Sequence, residues 1–433
     1  MDSSSFFSRQ LHCIVIGAGN RGETYTSYAL DYPQRLKVVA VADPKKAARE
    51  LMQKTHGINT ENVYTNWQDI VAKEKFADFV IITTPDKFHK DPAVSFAKKG
   101  YHILLEKPMA VSEEDCKEIA RVCKENNVMM CVCHVLRYSP AMKKIKDVIE
   151  SGMIGEVVNI QHLEPVGYWH FAHAYVRGNW RNEAESTFSL LAKCCHDVDL
   201  IMWWMGNKRC EKISSFGSLV HFKKENKPAG AGNRCLDCNI EDSCPYSAKK
   251  LYIGQFKQGN RDWPVSIICN SEEPTLERVT NALKTGPYGR CAYECDNDVC
   301  DNQVVNMSFT GGTTANLTMI AYTERICNRQ VYVYGTKGQL AFINGVLKLY
   351  DFLTGKTTQF DLPSAPRNSR LTGHGGSDFF LFDSFMKAVA TNDPSLILNG
   401  PDDSLASHLL VFAAERARTE NRIVDVCKEL PTW

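Results

Sequence analysis

The sequence lacks the features that would assign the protein to a class from composition alone. Its 433 residues carry a formal net charge of only +1, so neither nucleic acid nor an anionic membrane surface has an electrostatic reason to bind it. No apolar run approaches the roughly 20 residues that a membrane-spanning helix needs. The N-terminal segment MDSSSFFSRQ has neither a basic start nor a long apolar stretch, so we expect no signal peptide and a cytoplasmic protein.

What is present is typical of a globular protein with more than one core. The hydrophobic share of 44% and the charged share of 23% are ordinary, and the length suggests two domains. Cysteine is the exception, because the chain has 17 of them. Disulfides are not expected to persist in a reducing cytosol, so the cysteines need another explanation.

Residues 1–136 are predicted to form a parallel sheet covered by helices on both faces. Short continuous apolar runs alternate there with helix-like stretches, which is the pattern of strands buried on both sides. One helix-like stretch, SEEDCKEIARVCKENN, begins with Ser112 and Asp115 at capping-box spacing. The predicted strands are 11–16, 36–42, 77–83, 101–105 and 128–135.

Residues 137–433 have a different pattern and are predicted to form an α+β domain on a large, mostly antiparallel sheet. Helices are predicted over 140–152 and 188–205, a strand lies between them, and alternating strands follow. Two further helices, around 377–390 and 403–419, close the chain. An insertion at about 223–301, rich in glycine, proline, asparagine and cysteine, interrupts the strands.

A glycine motif follows the first predicted strand. In GAGNRG, Gly17 permits a tight turn, Gly19 lets the backbone approach a pyrophosphate, and Gly22 allows a helix to pack closely on the strand. The start of that helix offers unpaired N–H groups and a partial positive charge. A glycine turn without a ligand is the alternative, since the motif alone is weak.

The end of the second predicted strand bears on the choice of dinucleotide. Asp43 lies about 20 residues beyond the glycines, where a carboxylate accepts a hydrogen bond from a ribose 2′-hydroxyl and repels a 2′-phosphate. Asp43 therefore favours NAD. Lys45 and Lys46 lie close by and would favour NADP.

The order of motifs resembles that of the Gfo/Idh/MocA oxidoreductase family. The glycine motif is followed by TTPDKFH after the third strand and EKP after the fourth, and the likeness extends to PAMKKIKDVIESGMIGEVVNI and HDVDLIMWWMG. The resemblance implies a Rossmann dinucleotide-binding domain, and a second domain whose open-faced sheet often pairs into dimers or tetramers. It implies a cofactor site formed by Gly17, Gly19, Asn20, Arg21, Gly22, Asp43, Thr83, Thr84, Pro85, His89, Glu106 and Lys107.

The resemblance also implies a place for Lys107, beside the nicotinamide and the reacting hydroxyl. An alcohol that loses a hydride from carbon must lose a proton from oxygen, and a cation there stabilises the developing alkoxide. An ion pair with Glu106 or a neighbouring acid is the alternative interpretation. Pro108 fixes the turn, and in this family the preceding peptide bond is often cis.

His196 is at the position of the family's catalytic histidine. An imidazole titrates near neutrality and suits general acid/base work, although a lone helical histidine is more often a core residue. Many members have an aspartate four residues earlier, where this chain has Ala192. The usual pair on one helix face is therefore missing, and Lys193 becomes a candidate for handling the proton or the substrate.

A stretch without clear helical or strand period, GYWHFAHAYVRGNWRNE, combines aromatic, histidine and arginine side chains. Aromatic faces stack on sugar rings, and arginines bind hydroxyls or carboxylates. A packed surface loop is the alternative. The candidate substrate contacts are His170, His173, Arg177, Trp180 and Arg181, with Tyr138 after the fifth strand.

Three functional classes remain open from the sequence. The first is an NAD(P)-dependent dehydrogenase or reductase acting on a sugar, cyclitol or related polyol, as for most of the family. The second is a glycoside-cleaving enzyme that retains NAD and oxidises the sugar transiently. The third, a nucleotide-bound sensor without catalysis, agrees least with the pairing of Lys107 and His196.

The cysteine-rich insertion has the spacing of a metal site. Cys235 and Cys238 are separated by two residues, the spacing at which two thiolates bind one ion, and Cys244 reaches it from a short loop. Cys291 or Cys295 would close a tetrahedral structural site and pin a long loop together. We expect zinc here, since hydride chemistry needs no one-electron carrier. Free buried cysteines are the alternative.

Overall fold

Six parallel strands form the first sheet, in the order β3-β2-β1-β4-β5-β6. The computed structural model describes residues 6–270 and 272–430. The strand order reverses between β1 and β4, the point at which open α/β sheets bind ligands. The strands are β1 (Leu11–Ile16), β2 (Leu36–Ala42), β3 (Val63–Tyr64), β4 (Phe79–Ile82), β5 (His102–Leu105) and β6 (Met130–Val132).

Helices connect these strands, and the predicted parallel sheet is confirmed. Strand β3 was missed because its two residues form no apolar run. The connecting helices are α1 (Asn20–Thr26), α2 (Tyr28–Asp31), α3 (Lys46–His56), α4 (Gln68–Val71), α5 (Lys90–Lys98) and α6 (Glu113–Glu125). Ser112 caps the start of α6, since its hydroxyl accepts a hydrogen bond from the Asp115 N–H.

The second sheet has nine strands and is mostly antiparallel, as predicted. Its one parallel pair is β7 with β10, and buried positions alternate with exposed ones along the central strands. The strands are β7 (Val157–Pro165), β8 (Cys210–Ser218), β9 (Asn302–Phe309), β10 (Thr314–Ile320), β11 (Gln330–Gly335), β12 (Gly338–Ile343), β13 (Val346–Asp351), β14 (Thr357–Gln359) and β15 (Val424–Asp425).

Helices cover one face of this sheet and lie in the insertion. The long helix α9 packs on β7 and β10, and its Ala192 carbonyl receives the Lys107 side chain that follows β5. The helices are α7 (Pro140–Glu150), α8 (Tyr168–Phe171), α9 (Ser189–Met205), α10 (Gln255–Lys257), α11 (Val265–Ile268), α12 (Leu276–Thr285), α13 (Ser377–Thr391), α14 (Pro401–Thr419) and α15 (Val426–Glu429).

The last long helices return to the first domain. On α13, Phe382 stacks on Tyr25 at 5.8 Å between ring centroids, and Phe385 meets Phe79 edge-on at 5.2 Å. Helix α14 packs on α6. The C-terminal part of the chain thus completes the core of the N-terminal sheet.

The insertion has a small hydrophobic cluster of its own, built around Tyr252, Val265, Val279 and Leu283. An antiparallel bridge between Arg234 and Arg290 holds its two ends together. Within residues 6–270 and 272–430, no helix combines the length and apolar character needed to cross a bilayer.

Candidate active site

The glycine turn has the geometry that a dinucleotide requires. Gly17 has φ +92°, and a Cβ there would lie 2.7 Å from the Thr83 carbonyl carbon. A Cβ on Gly22 would lie 2.4 Å from the Gly17 carbonyl oxygen, whereas one on Gly19 would meet nothing within 4 Å. Gly17 and Gly22 are therefore needed for packing, and the space in front of Gly19 is open at the start of α1. This open space fits a pyrophosphate at the helix N-terminus.

Asp43 is held at the glycine turn by backbone amides. Its carboxylate accepts hydrogen bonds from the N–H groups of Ala18 and Lys45, both at 2.7 Å. The side chain is thus aimed across the end of β2 toward the loop, where a ribose would lie. Lys45 and Lys46 are exposed beside it.

The residues after β4 brace the turn. The Thr83 hydroxyl donates to the Gly17 carbonyl at 2.6 Å, and the Thr84 hydroxyl donates to the Phe88 carbonyl at 2.9 Å. His89 is fully buried, with its ring nitrogens 2.7 and 2.8 Å from the carbonyl oxygens of Pro108 and Thr84. The structure therefore gives His89 a bracing position that links this turn to the one after β5.

The Glu106 side chain binds Arg21 and Tyr25, which lie just after the start of the glycine turn, and the Lys107 side chain takes no part in these contacts. The Glu106 carboxylate receives the Arg21 Nε at 2.6 Å and the Tyr25 hydroxyl at 3.0 Å. Arg21 also binds Asp378 of α13 at 2.8 Å. Burial would raise the pKa of Asp378, but Arg21 and His374 outweigh it and hold that pKa well below its ordinary value. Arg21 is therefore a clamp between the turn, β5 and α13, and its predicted contact with the cofactor is secondary to that clamp.

Lys107 reaches toward α9. Its ammonium donates to the Ala192 carbonyl at 2.8 Å and lies 5.3 Å from the centre of the Trp180 ring. The described residues show no ion pair between Lys107 and Glu106, so the ion-pair alternative is not what the structure shows. The peptide bond between Lys107 and Pro108 is cis, as the resemblance implies.

His196 lies one helical turn beyond Ala192, on the same helix. Its side chain is 4% exposed, and its Nδ1 has no hydrogen-bond partner among the described residues. Burial lowers the pKa of His196 well below its ordinary value, and His134 and Lys107 lower it further. The ring is 5.6 Å from that of His134 and 6.0 Å from that of His374. His196 is thus a neutral imidazole close to a cationic lysine.

Behind His196 lies a polar cluster that resembles a metal site in composition. His134, Cys195 and His408 place ligand atoms within 4.8 Å of one another. Both ring nitrogens of His408 already have hydrogen-bond partners, however, and Nδ1 of His134 lies against Asp199. His408 accepts from the Met109 N–H at 2.8 Å, and His134 pairs with Asp199 at 3.1 Å. Burial opposes the charge on His134, but Asp199 raises its pKa to about 9, so this cluster is a polar core that keeps a cation near His196.

Lys193 is a fixed cation in a buried ionic network. Its ammonium lies 2.9 Å from the Cys327 sulfur and 3.5 Å from the Glu164 carboxylate. Burial opposes the charge, but Cys327 and Glu164 raise the pKa of Lys193 above its ordinary value. Arg329 closes the network on Glu164 and Asp197. A lysine held protonated in this way supplies positive charge and is a poor proton acceptor.

The sequence interpretation missed several of these residues. Glu164, Asp197, Cys327 and Arg329 come from distant segments, and their proximity depends on the pairing of β7 with β10 and β11. Two features of the sequence could have indicated them. Glu164 is a charged residue in an otherwise neutral part of β7, and Asp197 follows His196 directly.

Two predicted substrate residues lie beside Lys107 and Lys193. Trp180 faces the Lys107 ammonium and donates from its indole nitrogen to Asp86 at 2.8 Å. His170 is partly exposed and places Nδ1 3.8 Å from the Cys327 sulfur. These two side chains remain candidates for contact with a substrate.

Four other predicted substrate contacts have structural partners in this fold. Tyr138 is buried, and its hydroxyl donates to Asn399 at 2.8 Å. His173 is buried and bonded to the Tyr252 hydroxyl at 2.7 Å, and Arg177 is buried among the carbonyls of the insertion. Arg181 forms ion pairs with Asp296 and Glu185. Each has at least one structural partner that lies far away in the sequence or within the insertion.

The predicted metal ligands also come together. All 17 cysteines are free thiols, and Cys235, Cys238, Cys244 and Cys291 line one cavity with Arg177. Cys295 does not line this cavity; its thiol donates to the Cys291 carbonyl at 3.3 Å. Of the two possible fourth ligands, the structure therefore favours Cys291.

Family models match most of the chain. A model described as an oxidoreductase family with an NAD-binding Rossmann fold matches residues 11–134, and one described as the C-terminal alpha/beta domain of an oxidoreductase family matches residues 146–379.

Similar curated proteins align over part of their length. 2,7-Anhydro-N-acetylneuraminate hydratase of Escherichia coli (strain K12) is 27% identical over 210 residues, which are 48% of this chain and 53% of that protein. The NAD⁺-dependent scyllo-inositol 2-dehydrogenase of Bacillus subtilis (strain 168) is 31% identical over 34% of this chain and 43% of that protein. The chain thus spans about half the length of these relatives.

Solved structures share the fold over nearly the whole chain. An oxidoreductase from Agrobacterium radiobacter, in complex with NAD⁺, L-tartaric acid and magnesium, superposes with a TM-score of 0.68 at 17% identity, covering 97% of this chain and 99% of that one. A levoglucosan dehydrogenase in complex with NADH and L-sorbose gives 0.69 at 16% identity, covering 96% and 99%. At these identities the likeness supports the fold.

Proposed function

Since the chain belongs to the Gfo/Idh/MocA oxidoreductase family, we propose that it is an NAD-dependent enzyme acting on a hydroxyl-bearing carbon of a sugar, a cyclitol or a related polyol. The observation that carries this proposal is the position of Lys107 against α9: its ammonium, which follows β5, donates to the Ala192 carbonyl one helical turn before His196. The clamp of Arg21, Glu106 and Asp378 ties them to the glycine turn, so a cation and a neutral base lie next to the cofactor position.

The glycine turn and Asp43 would hold NAD, which accepts or supplies the hydride when bound. Lys107 stabilises the negative charge that develops on the substrate oxygen, and the same contact polarises a ketone in the reverse direction. His196 receives the hydroxyl proton, because its lowered pKa leaves the imidazole unprotonated at neutral pH. Lys193 adds a fixed positive charge beside the cleft. Trp180 and His170 are the proposed walls for the sugar ring.

The experiment that tests this function follows the cofactor. We expect NADH to accumulate in proportion to product when the protein is incubated with NAD and a panel of sugars and cyclitols, measured by absorbance. The second candidate, a glycoside-cleaving enzyme that returns the hydride, is favoured by the missing aspartate at Ala192. It would form product from glycosides while NADH stays far below one equivalent of product. Product formation that continues after complete removal of NAD would contradict both.

Asp43 should determine the preference for NAD. Replacing Asp43 by alanine is expected to weaken the binding of NAD by about 10- to 100-fold, since a charged hydrogen bond to the ribose is lost. NADP binding should change much less, and it serves as the internal control for any loosening of the turn at Ala18 and Lys45. Dissociation constants for both dinucleotides give the answer. A strong native preference for NADP would move the assignment to Lys45 or Lys46.

The open face of the second sheet is the proposed contact with a second copy of the chain. Phe216 and Val304 are neighbours across β8 and β9, and they are 64% and 37% exposed. Val158 of β7 is 50% exposed. Apolar side chains at adjacent exposed positions are typical of a covered sheet face, so we propose a homodimer or homotetramer. Sedimentation as a monomer at micromolar concentration would contradict this.

A further inference from the structure

The cavity in the insertion brings together four cysteines from three segments. One turn, the loop after it and the far end of the insertion supply Cys235 and Cys238, Cys244, and Cys291, respectively. The Cys291 N–H donates to the Asn233 carbonyl at 2.9 Å, and the Cys238 sulfur accepts the Gly232 N–H at 3.4 Å. Backbone contacts therefore hold the thiols around a shared space, and no disulfide joins them.

The size of this space suits a single ion. The cavity volume is about 20 Å³, close to the roughly 10–15 Å³ that one water-sized sphere requires. A tetrahedral zinc ion with bonds of about 2.3 Å holds its sulfurs roughly 3.8 Å apart. No three of the described insertion thiols lie within 4.8 Å of one another, so the sulfurs must move inward when an ion binds. Rotation about the Cα–Cβ bond of each cysteine gives this movement and leaves the backbone in place.

Backbone N–H groups are directed at two further sulfurs of the cavity. Burial raises the pKa of the Cys244 thiol, and the Tyr246 N–H opposes this shift as a hydrogen-bond donor. Burial likewise raises the pKa of the Cys291 thiol, and the Tyr293 N–H opposes it. Both thiols are therefore neutral at neutral pH, while the N–H groups are placed to stabilise the thiolates that a metal ion requires.

A buried cation lines the same cavity without a counter-charge. Arg177 is 1% exposed, and its Nε and Nη2 donate to the carbonyl oxygens of Arg290 and Tyr246, each at 2.8 Å. Its Nη1 has no hydrogen-bond partner among the described residues. Glu241 also lines the cavity, but its carboxylate pairs with Lys249 at 3.1 Å. An unpaired buried charge is destabilising, and neutral thiols do not balance it, so the cavity lacks a negative charge.

We propose that the four cysteines of this cavity bind one zinc ion, and that Arg177 balances the negative charge of the complex. Four thiolates outweigh the charge of Zn²⁺, so the bound site supplies the counter-charge that the guanidinium lacks. Four sulfur ligands leave no open position for a substrate, so the ion is structural and pins the segments of the insertion together. The ligands are Cys235, Cys238, Cys244 and Cys291.

The position of the zinc site connects it to the cleft. Arg177 ends the segment Ala172–Arg177, which has π-helical hydrogen bonding, a feature frequent at functional sites. His173 in this segment stacks on Tyr288 of the insertion, with 5.2 Å between ring centroids. His170, just before the segment, is one of the proposed walls for the sugar ring. The ion therefore orders this wall, a role that rests on the proposed function, whereas the binding of zinc does not.

The test is the metal content of the full-length protein, purified without added metal or chelator. We expect about one zinc per chain by elemental analysis. Iron in place of zinc, with or without acid-labile sulfide, would overturn the assignment of the ion. A zinc content far below one per chain that added zinc does not raise, with these thiols open to alkylation in the native protein, would overturn the site altogether.

Matched cysteine variants locate the ligands. Cys291→Ser should lower the zinc content by about tenfold or more, whereas Cys295→Ser, four residues further on and outside the cavity, should retain it. Cys238→Ser and Cys269→Ser form a second pair with the same expected difference. If the ligand variants do not fold, the zinc contents of the wild type and of Cys295→Ser still decide the proposal. Equal zinc in all four variants would contradict the assigned ligand set.

The role at the cleft has a separate readout. Loss of zinc in Cys291→Ser should raise the KM for the sugar and leave NAD affinity nearly unchanged, because the glycine turn lies in the other domain. An unchanged KM would contradict the ordering of the cleft wall. A wild-type protein that contains zinc but oxidises no sugar or cyclitol would contradict the proposed function and leave the zinc site standing.

Discussion

Replacing Lys107 by methionine is expected to lower kcat by about a thousandfold while NAD affinity changes little. The methionine keeps the length of the side chain but removes the charge that stabilises the developing alkoxide, a contribution of about 10²–10³ in rate for one donor. An interaction made only in the transition state changes kcat and leaves cofactor binding intact. Steady-state kinetics and a dinucleotide titration on the same preparation measure both quantities.

Lys146 provides the control for this experiment. Its ammonium donates to the Trp203 carbonyl at 2.7 Å, so Lys146→Met removes the same type of lysine–carbonyl contact from the same helix α9, away from the glycine turn. We expect Lys146→Met to retain nearly full turnover. A comparable loss in both variants would mean that Lys107 acts by holding α9 in place. Unchanged turnover in Lys107→Met would leave Lys107 without a catalytic role.

His196→Ala is expected to lower kcat by about 10²- to 10⁴-fold, the usual contribution of a positioned general acid or base. Added imidazole should restore part of the rate, because it can occupy the space that the removed ring leaves and accept the proton there. A merely structural histidine would not show this rescue. If His196→Ala retains the full rate, Lys193 becomes the preferred proton carrier despite its raised pKa.

The pH profile gives a second and independent readout of His196. Its pKa is lowered by burial and by His134, so the imidazole stays neutral and able to accept a proton at pH values where free histidine, with a pKa near 6.5, becomes charged. In the oxidative direction, kcat/KM should therefore remain flat as the pH falls through about 6.5 and decrease only at lower pH. An acid limb at or above pH about 6.5 that His196→Ala abolishes would contradict the lowered pKa.

Local patterns were enough to predict the fold. The apolar runs of β1 and β2 match the observed strands residue for residue, whereas β3 is only two residues long and depends on its pairing with β2. Predicted strand ends further along the first domain extend beyond the observed ones, because apolar side chains continue into buried turns. The spacing of the glycine motif, including Gly17 and Gly22, is also a local feature and could therefore be recognised from the sequence.

Partners that are distant in sequence could not be predicted in this way. Arg21 was assigned to the cofactor, yet it pairs with Asp378, which lies 357 residues further along the chain. Arg177 was assigned to the substrate because it stands among aromatic residues, and the structure pairs it with the cysteine cavity instead. In both cases the sequence showed the side chain and its immediate surroundings, and the partners that lie far away in the sequence became visible only in the structure.

The return of α13 to the first domain has a consequence for biosynthesis. The rings of Tyr25 and Phe79 are covered by Phe382 and Phe385, which the ribosome adds some 300 residues later. At about 5–20 residues per second, the N-terminal sheet waits tens of seconds with an aromatic surface uncovered. Until the C-terminal helices emerge, the rings of the N-terminal sheet are open to contacts that the native fold does not contain.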